Sequence, residues 1–159
     1  MKKINQIANI KRYENVRITV RDLEGEITEV KEIRNLIPTV DLNMIRDAYY
    51  GDVSDCEIKY MAIGDDNTAP ALTDTTLGNE TFRKILTSHS KPANGQILTS
   101  VYVAPAEAVG AIKEIGWFSG ATAGAGADTG ILSARVLYSR NKTALESLQV
   151  ERTLTIAEG

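Results

Sequence analysis

Short runs of alternating apolar and polar side chains recur along this chain, separated by clusters of Gly, Pro, Asn and Asp, and this pattern constrains the fold more than any other feature. A period of two puts every second side chain on one face of an extended strand, so each run reads as a strand with one face turned inward. In Val16-Arg17-Ile18-Thr19-Val20-Arg21-Asp22 the inward face carries Val16, Ile18 and Val20. Gly25, within Leu23-Glu24-Gly25-Glu26, supplies positive φ at no steric cost, and alternation resumes over 27–33, which predicts a β-hairpin. Further strands are predicted at 57–63, 81–88, 96–103, 111–118, 131–138 and 145–156. Pro92-Ala93-Asn94-Gly95 predicts a tight turn that pairs the strands on either side of it.

One helix interrupts the series. Leu42, Ile45 and Tyr49 recur at spacings of three and four over 41–50, with Asp41 or Thr39 placed to cap the start and Gly51 the end. The segments 65–76 and 119–130 are poor in packing side chains and are expected as loops. The expected fold is therefore mainly β: an antiparallel β-sandwich with one short helix and an N-terminal β-hairpin. At 159 residues the chain fits a sandwich over 39–159 preceded by an arm and hairpin over 1–38, which is expected to dock on a neighbouring subunit.

Hydrophobic residues at 43% and charged residues at 25% are ordinary for a soluble globular protein. A net charge of −3 with both signs interleaved gives no footprint for a phosphate backbone, so no nucleic-acid partner is expected. No stretch approaches the roughly 20 apolar residues of a membrane span, and no signal-peptide pattern follows Met1. The single Cys56 cannot close an internal disulfide, which suits a reducing cytoplasm.

Residues with chemical potential each have a plainer reading. His89 and Cys56 could act as a nucleophile pair, but the local sequence gives no nucleophile context, and they are too few to complete a zinc set. Asp65, Asp66, Asn67 and Asp74 could gather oxygens for calcium, yet these are also the residues turns recruit for their own backbone. No metal and no cofactor are expected. The glycines of 119–130 lack the strand-then-helix context of a phosphate loop. Arg83 lies in a run with Phe82 and Ile85, and Glu114 lies between Ile112 and Ile115, so the two are expected to pair and fix strand register. The competing reading makes Glu80 and Glu114 the two carboxylates of a glycosidase. Trp117 and Phe118 could stack on a sugar ring or fill the sandwich, and exposure of Trp117 decides between those.

The order Ile58-Lys59-Tyr60-Met61-Ala62-Ile63-Gly64-Asp65-Asp66-Asn67-Thr68-Ala69-Pro70, then Thr76-Leu77-Gly78-Asn79-Glu80 with Arg83, then Glu114-Ile115-Gly116-Trp117-Phe118, resembles a module of tail-fibre, tail-collar and related virion proteins of tailed bacteriophages. The resemblance spans about residues 40–156, and Trp117 stands where the family pattern has Leu. It implies a non-enzymatic β-sandwich component of a virion, assembled in the host cytoplasm. Gly64, Leu77, Glu80, Arg83, Glu114, Gly116, Trp117 and Phe118 would be scaffold positions. The expected partners are other virion proteins and further copies of the chain in a closed oligomer, such as a trimer or hexamer. Alternatives are a decoration protein clamping head subunits and an adsorption module binding host surface glycans through Tyr102 or Trp117.

Overall fold

The computed structural model describes residues 10–158, so the first nine residues of the expected arm lie outside the described residues. Nine strands and one helix follow in the order β1 (Ile10–Asp22), β2 (Ile27–Ile33), α1 (Thr39–Tyr50), β3 (Ile58–Gly64), β4 (Glu80–Ile85), β5 (Ser88–Ser90), β6 (Gln96–Val103), β7 (Gly110–Ser119), β8 (Ile131–Lys142) and β9 (Glu146–Glu158). They form two antiparallel sheets, ordered β2-β1-β9-β6-β5 and β4-β3-β7-β8. The expected mainly β sandwich with one helix is what the chain forms.

Alternation is the cause of the core. Val16, Ile18 and Val20 of β1, Val101 and Val103 of β6, and Leu148 and Val150 of β9 face Met61, Ile63, Ile115, Trp117, Val136 and Tyr138 of the second sheet, all of them buried. The β1–β2 hairpin closes as expected, with Gly25 at φ +89° and Asp22 accepting the Glu26 N–H through its side chain at 2.8 Å. The boundary at residue 38 does not divide the sheet, because β1 pairs with β9 along its whole length, from Ile10 opposite Glu158 to Asp22 opposite Glu146.

Three local expectations are corrected. The run 81–88 is two strands: β4 pairs with β3 in one sheet, and the chain crosses at Leu86 and Thr87 so that β5 pairs with β6 in the other. Only β5 uses the expected turn, where Gly95 at φ +69° accepts the Ile156 N–H on its carbonyl oxygen at 2.8 Å. The helix begins at Thr39 with Pro38 in the capping position and no side-chain cap, because Asp41 instead turns inward to Arg12. Gly51 closes it in the left-handed conformation as expected. The helix buries Asp41 and Met44, and Leu42 and Tyr49 are left 49% and 88% exposed.

Candidate functional site

The second sheet has two faces with different tasks. Ile115 and Trp117 of β7 point toward the first sheet, whereas Phe118 packs on the opposite face with Leu77, Ala62 and Leu132. Cross-strand register then gathers the motif residues into rows. Glu80 of β4 and Glu114 of β7 flank Gly64 of β3, and Arg83 and Gly116 flank Ala62. Residues 62 to 64, 80 to 83 and 114 to 116 come from three separate stretches of the sequence, so strand pairing brings this set together.

Glu114 is fully buried and spends its oxygens on the loop after β3. It accepts the Gly78 N–H at 3.1 Å, the Asn79 N–H at 2.9 Å and Arg135 Nε at 2.8 Å. Arg135 continues to Asp74 Oδ2 at 2.7 Å and the Thr68 carbonyl at 2.9 Å, so its guanidinium ties the first half and the middle of the loop to the sheet while Glu114 holds the end. Burial opposes the charge on Arg135, but its bonds to Asp74 and Glu114 outweigh it and raise the pKa above the ordinary arginine value. Gly64 has to be glycine here: a Cβ would sit within contact of Glu114 Oε1 and 2.5 Å from the Asn79 carbonyl oxygen. At Gly116 a Cβ would meet Leu77 Cδ2 at 2.7 Å.

The second long loop, 120–130, is held from β4. Arg83 grips Glu80 in a fork, Nε to Oε1 at 2.6 Å and Nη2 to Oε2 at 2.7 Å, and donates through Nη1 to the Thr129 carbonyl at 2.8 Å. Its guanidinium lies 4.0 Å from the centre of the Phe118 ring. Glu80 also accepts the Asp128 N–H at 3.0 Å. The expected Arg83–Glu114 pair does not form, because β3 lies between β4 and β7 and each charge finds a nearer partner. Glu80 and Glu114 are thus each committed to a separate guanidinium, with side chains 3% and 0% exposed, and neither faces a groove as a glycosidase acid would. The arrangement fastens two long loops onto a sheet with charge-assisted bonds that favour one geometry.

Comparison with known protein families, with curated proteins and with solved structures finds no match to this chain.

Trp117 is 0% exposed between the sheets, which removes it as a sugar platform. Beside it lies a buried charge network that strand alternation alone does not predict. Arg152 of β9, fully buried, donates Nε to Glu14 Oε2 at 2.7 Å and Nη2 to Glu14 Oε1 at 2.8 Å, and it also reaches Ser133 Oγ at 2.8 Å. Arg12 bridges Glu14 and Asp41, which pins the first turn of α1 to β1. Burial raises the Glu14 carboxyl, yet Arg152 and Arg12 outweigh it and hold the pKa below the ordinary value. For Asp41 burial prevails over Arg12 and the pKa is raised. The signal was in the sequence: Glu14 and Arg152 occupy inward positions of the alternations 14-16-18-20 and 148-150-152-154, where an apolar residue belongs.

The remaining candidates resolve into local structure. Asp66 accepts the Thr68 N–H at 2.6 Å, Asp74 accepts the Ala71 N–H at 2.9 Å, and Asp65 accepts Asn79 Nδ2 at 2.6 Å, so these carboxylates serve turns. His89, expected in a solvated loop, is an exposed residue of β5 with Nδ1 3.8 Å from Glu57 Oε1. It shares a cavity of about 490 Å³ with Cys56, Ile58, Ile97 and Thr99. Among the described residues no three His, Cys, Asp or Glu side chains come together as a metal set.

Among the described residues, the surfaces without an intramolecular partner include one side of α1 and the edge at β2. The outer side of α1 presents Leu42, Tyr49 and Tyr50, at 49%, 88% and 80% exposure. The outer edge of β2 has a neighbouring strand on one side only among the described residues.

Proposed function

We propose that this chain is a structural component of a tailed-phage virion, in the tail, collar or fibre attachment, and that it acts through subunit contacts. The observation that carries this reading is the exposed apolar side of α1. Leu42, Ile45 and Tyr49 have the spacing of a face meant to be covered, yet the sandwich covers Asp41 and Met44 instead. A large tyrosine left 88% exposed beside a half-exposed leucine gains most when another protein surface excludes its water. The latched loops support the same reading: Glu114, Arg135, Glu80 and Arg83 hold 65–79 and 120–130 in one shape, which suits repeated identical contacts in a symmetric particle. The partners are further copies of the chain and other virion proteins. Clamping of head subunits by a decoration protein would use the same surfaces.

Mass spectrometry of purified particles whose genome encodes the chain tests this directly. The chain is expected in multiple copies per particle. A Leu42→Ser/Tyr49→Ser variant is expected to fold, with unchanged circular dichroism, and to be lost from particles. Particles that lack the chain, or that take up the variant as fully as the wild type, overturn the proposal.

A further inference from the structure

The outer edge of β2 has the sequence Ile27-Thr28-Glu29-Val30-Lys31-Glu32-Ile33, which is nearly symmetric about Val30. We infer that β2 is a two-fold docking edge for a second copy of this chain, pairing antiparallel with its own counterpart about Val30 and joining two five-stranded sheets into one of ten. This rests on the assembly reading above but uses a different surface from the α1 stripe.

Charge complementarity selects both the occupant and the register. Antiparallel pairing about Val30 sets Val30 opposite Val30 and Glu29 opposite Lys31 at both ends, each pair on one face of the combined sheet. A shift of two residues one way opposes Glu29 with Glu29, and the other way Lys31 with Lys31, and like charges directly opposite are unfavourable. A shift of one turns the inward face of one copy outward. A lone lysine on an edge would serve to repel other strands. Here a charge of each sign flanks Val30 at equal distance, and the pattern becomes attractive under a two-fold axis.

The side chains are placed to take part. Val30 is 45% exposed, and Glu29, held by Arg140 Nη1 at 2.7 Å, keeps its side chain 38% exposed. Lys31 Nζ lies 5.8 Å from the centre of the Tyr138 ring, on the same inward side as Glu29. The β1–β2 register is regular from Val16 opposite Ile33 to Val20 opposite Glu29 and slips by one residue at Thr28, so Glu29, Val30 and Lys31, which carry the pairing, lie in the regular part of the strand.

Sedimentation equilibrium of Glu29→Lys and Lys31→Glu, alone and mixed, tests the inference. Each variant opposes like charges twice when it pairs with itself, so each is expected to self-associate roughly tenfold or more weakly than wild type. In an equimolar mixture every opposed pair is again complementary, and association is expected to return, a recovery that a folding defect cannot produce. As a second readout, Val30→Cys in a Cys56→Ser background is expected to form a symmetric intermolecular disulfide at position 30 under copper–phenanthroline oxidation. Folded single variants that associate as wild type does, a mixture that does not recover, or an associating protein without that crosslink overturn β2 pairing. An oligomer indifferent to these changes but dissolved by Leu42→Ser/Tyr49→Ser leaves the assembly reading standing without it. A wild-type chain that stays monomeric at every concentration and is absent from particles overturns both.

Discussion

Replacing Arg152 with methionine should show what the buried Glu14–Arg152 pair contributes. The network is balanced, with Arg12 and Arg152 against Glu14 and Asp41. Arg152→Met leaves Glu14 buried with Arg12 and with Asn35 Nδ2 at 2.6 Å, but with one negative charge in excess. Breaking one side of a buried pair costs about 3–5 kcal/mol, and the surviving partners of Glu14 place this change near the lower end, about 3 kcal/mol. For a chain of this size that is a fall in Tm of roughly 6–12 °C. Glu14→Leu leaves a buried positive charge in excess and should cost a similar amount. The double variant Glu14→Leu/Arg152→Met keeps the matched Arg12–Asp41 pair. It also removes Arg152 Nη1, which is buried with no hydrogen-bond partner among the described residues and so carries a desolvation cost that no bond offsets. The double variant is therefore expected to be more stable than either single one and to lie within about 1–2 kcal/mol of wild type, by urea denaturation followed at the β circular-dichroism band. Losses that simply add, to about 6 kcal/mol, would refute the view that charge balance rather than the pair itself sets the cost.

The other expectations concern the loop latches and acid stability. Glu114→Gln weakens the acceptor for the Gly78 and Asn79 amides and leaves Arg135 to Asp74, so hydrogen exchange at those two amides should speed up and stability should fall by about 1.5–3 kcal/mol; unchanged exchange there would count against the latch. Arg83→Lys keeps the charge but loses the fork on Glu80 and the stack on Phe118, so limited proteolysis should cut within 120–130 first, and a protease-resistant loop would refute the assignment. Gly64→Ala forces a methyl into the Glu114 carboxylate and should cost about 1–3 kcal/mol in urea denaturation, with a neutral result showing that the loop can retreat. Because the Glu14 pKa is lower in the folded chain than unfolded, the stability it supplies is complete above the ordinary glutamate pKa of about 4.3 and is lost as pH falls through the depressed value. Tm measured against pH should therefore fall less steeply below pH ~4 in the Glu14→Leu/Arg152→Met variant than in wild type, and an equal slope would refute the linkage.

Local pattern determined much of this protein. Period-two alternation marked the strands of both sheets, Gly25 and Gly51 marked a hairpin turn and a helix end, and the poverty of packing residues marked the two loops, because each of these is set within a few residues by sterics and by which face meets water. Partnership was decided elsewhere. Nothing near Arg83 or Glu114 tells either that β3 will lie between their strands, so their pairing with Glu80 and Arg135 follows only from strand order. The break of 81–88 into two strands in different sheets has the same origin, since alternation reports an extended chain but not the sheet it joins. In the helix, periodicity found Leu42, Ile45 and Tyr49, but the helix docks with Asp41 and Met44 inward, Asp41 beside Arg12, and leaves Leu42 and Tyr49 to solvent. One helix can turn only one side to the sandwich, and which side that is depends on what the sheets present to it, which only the assembled tertiary structure decides.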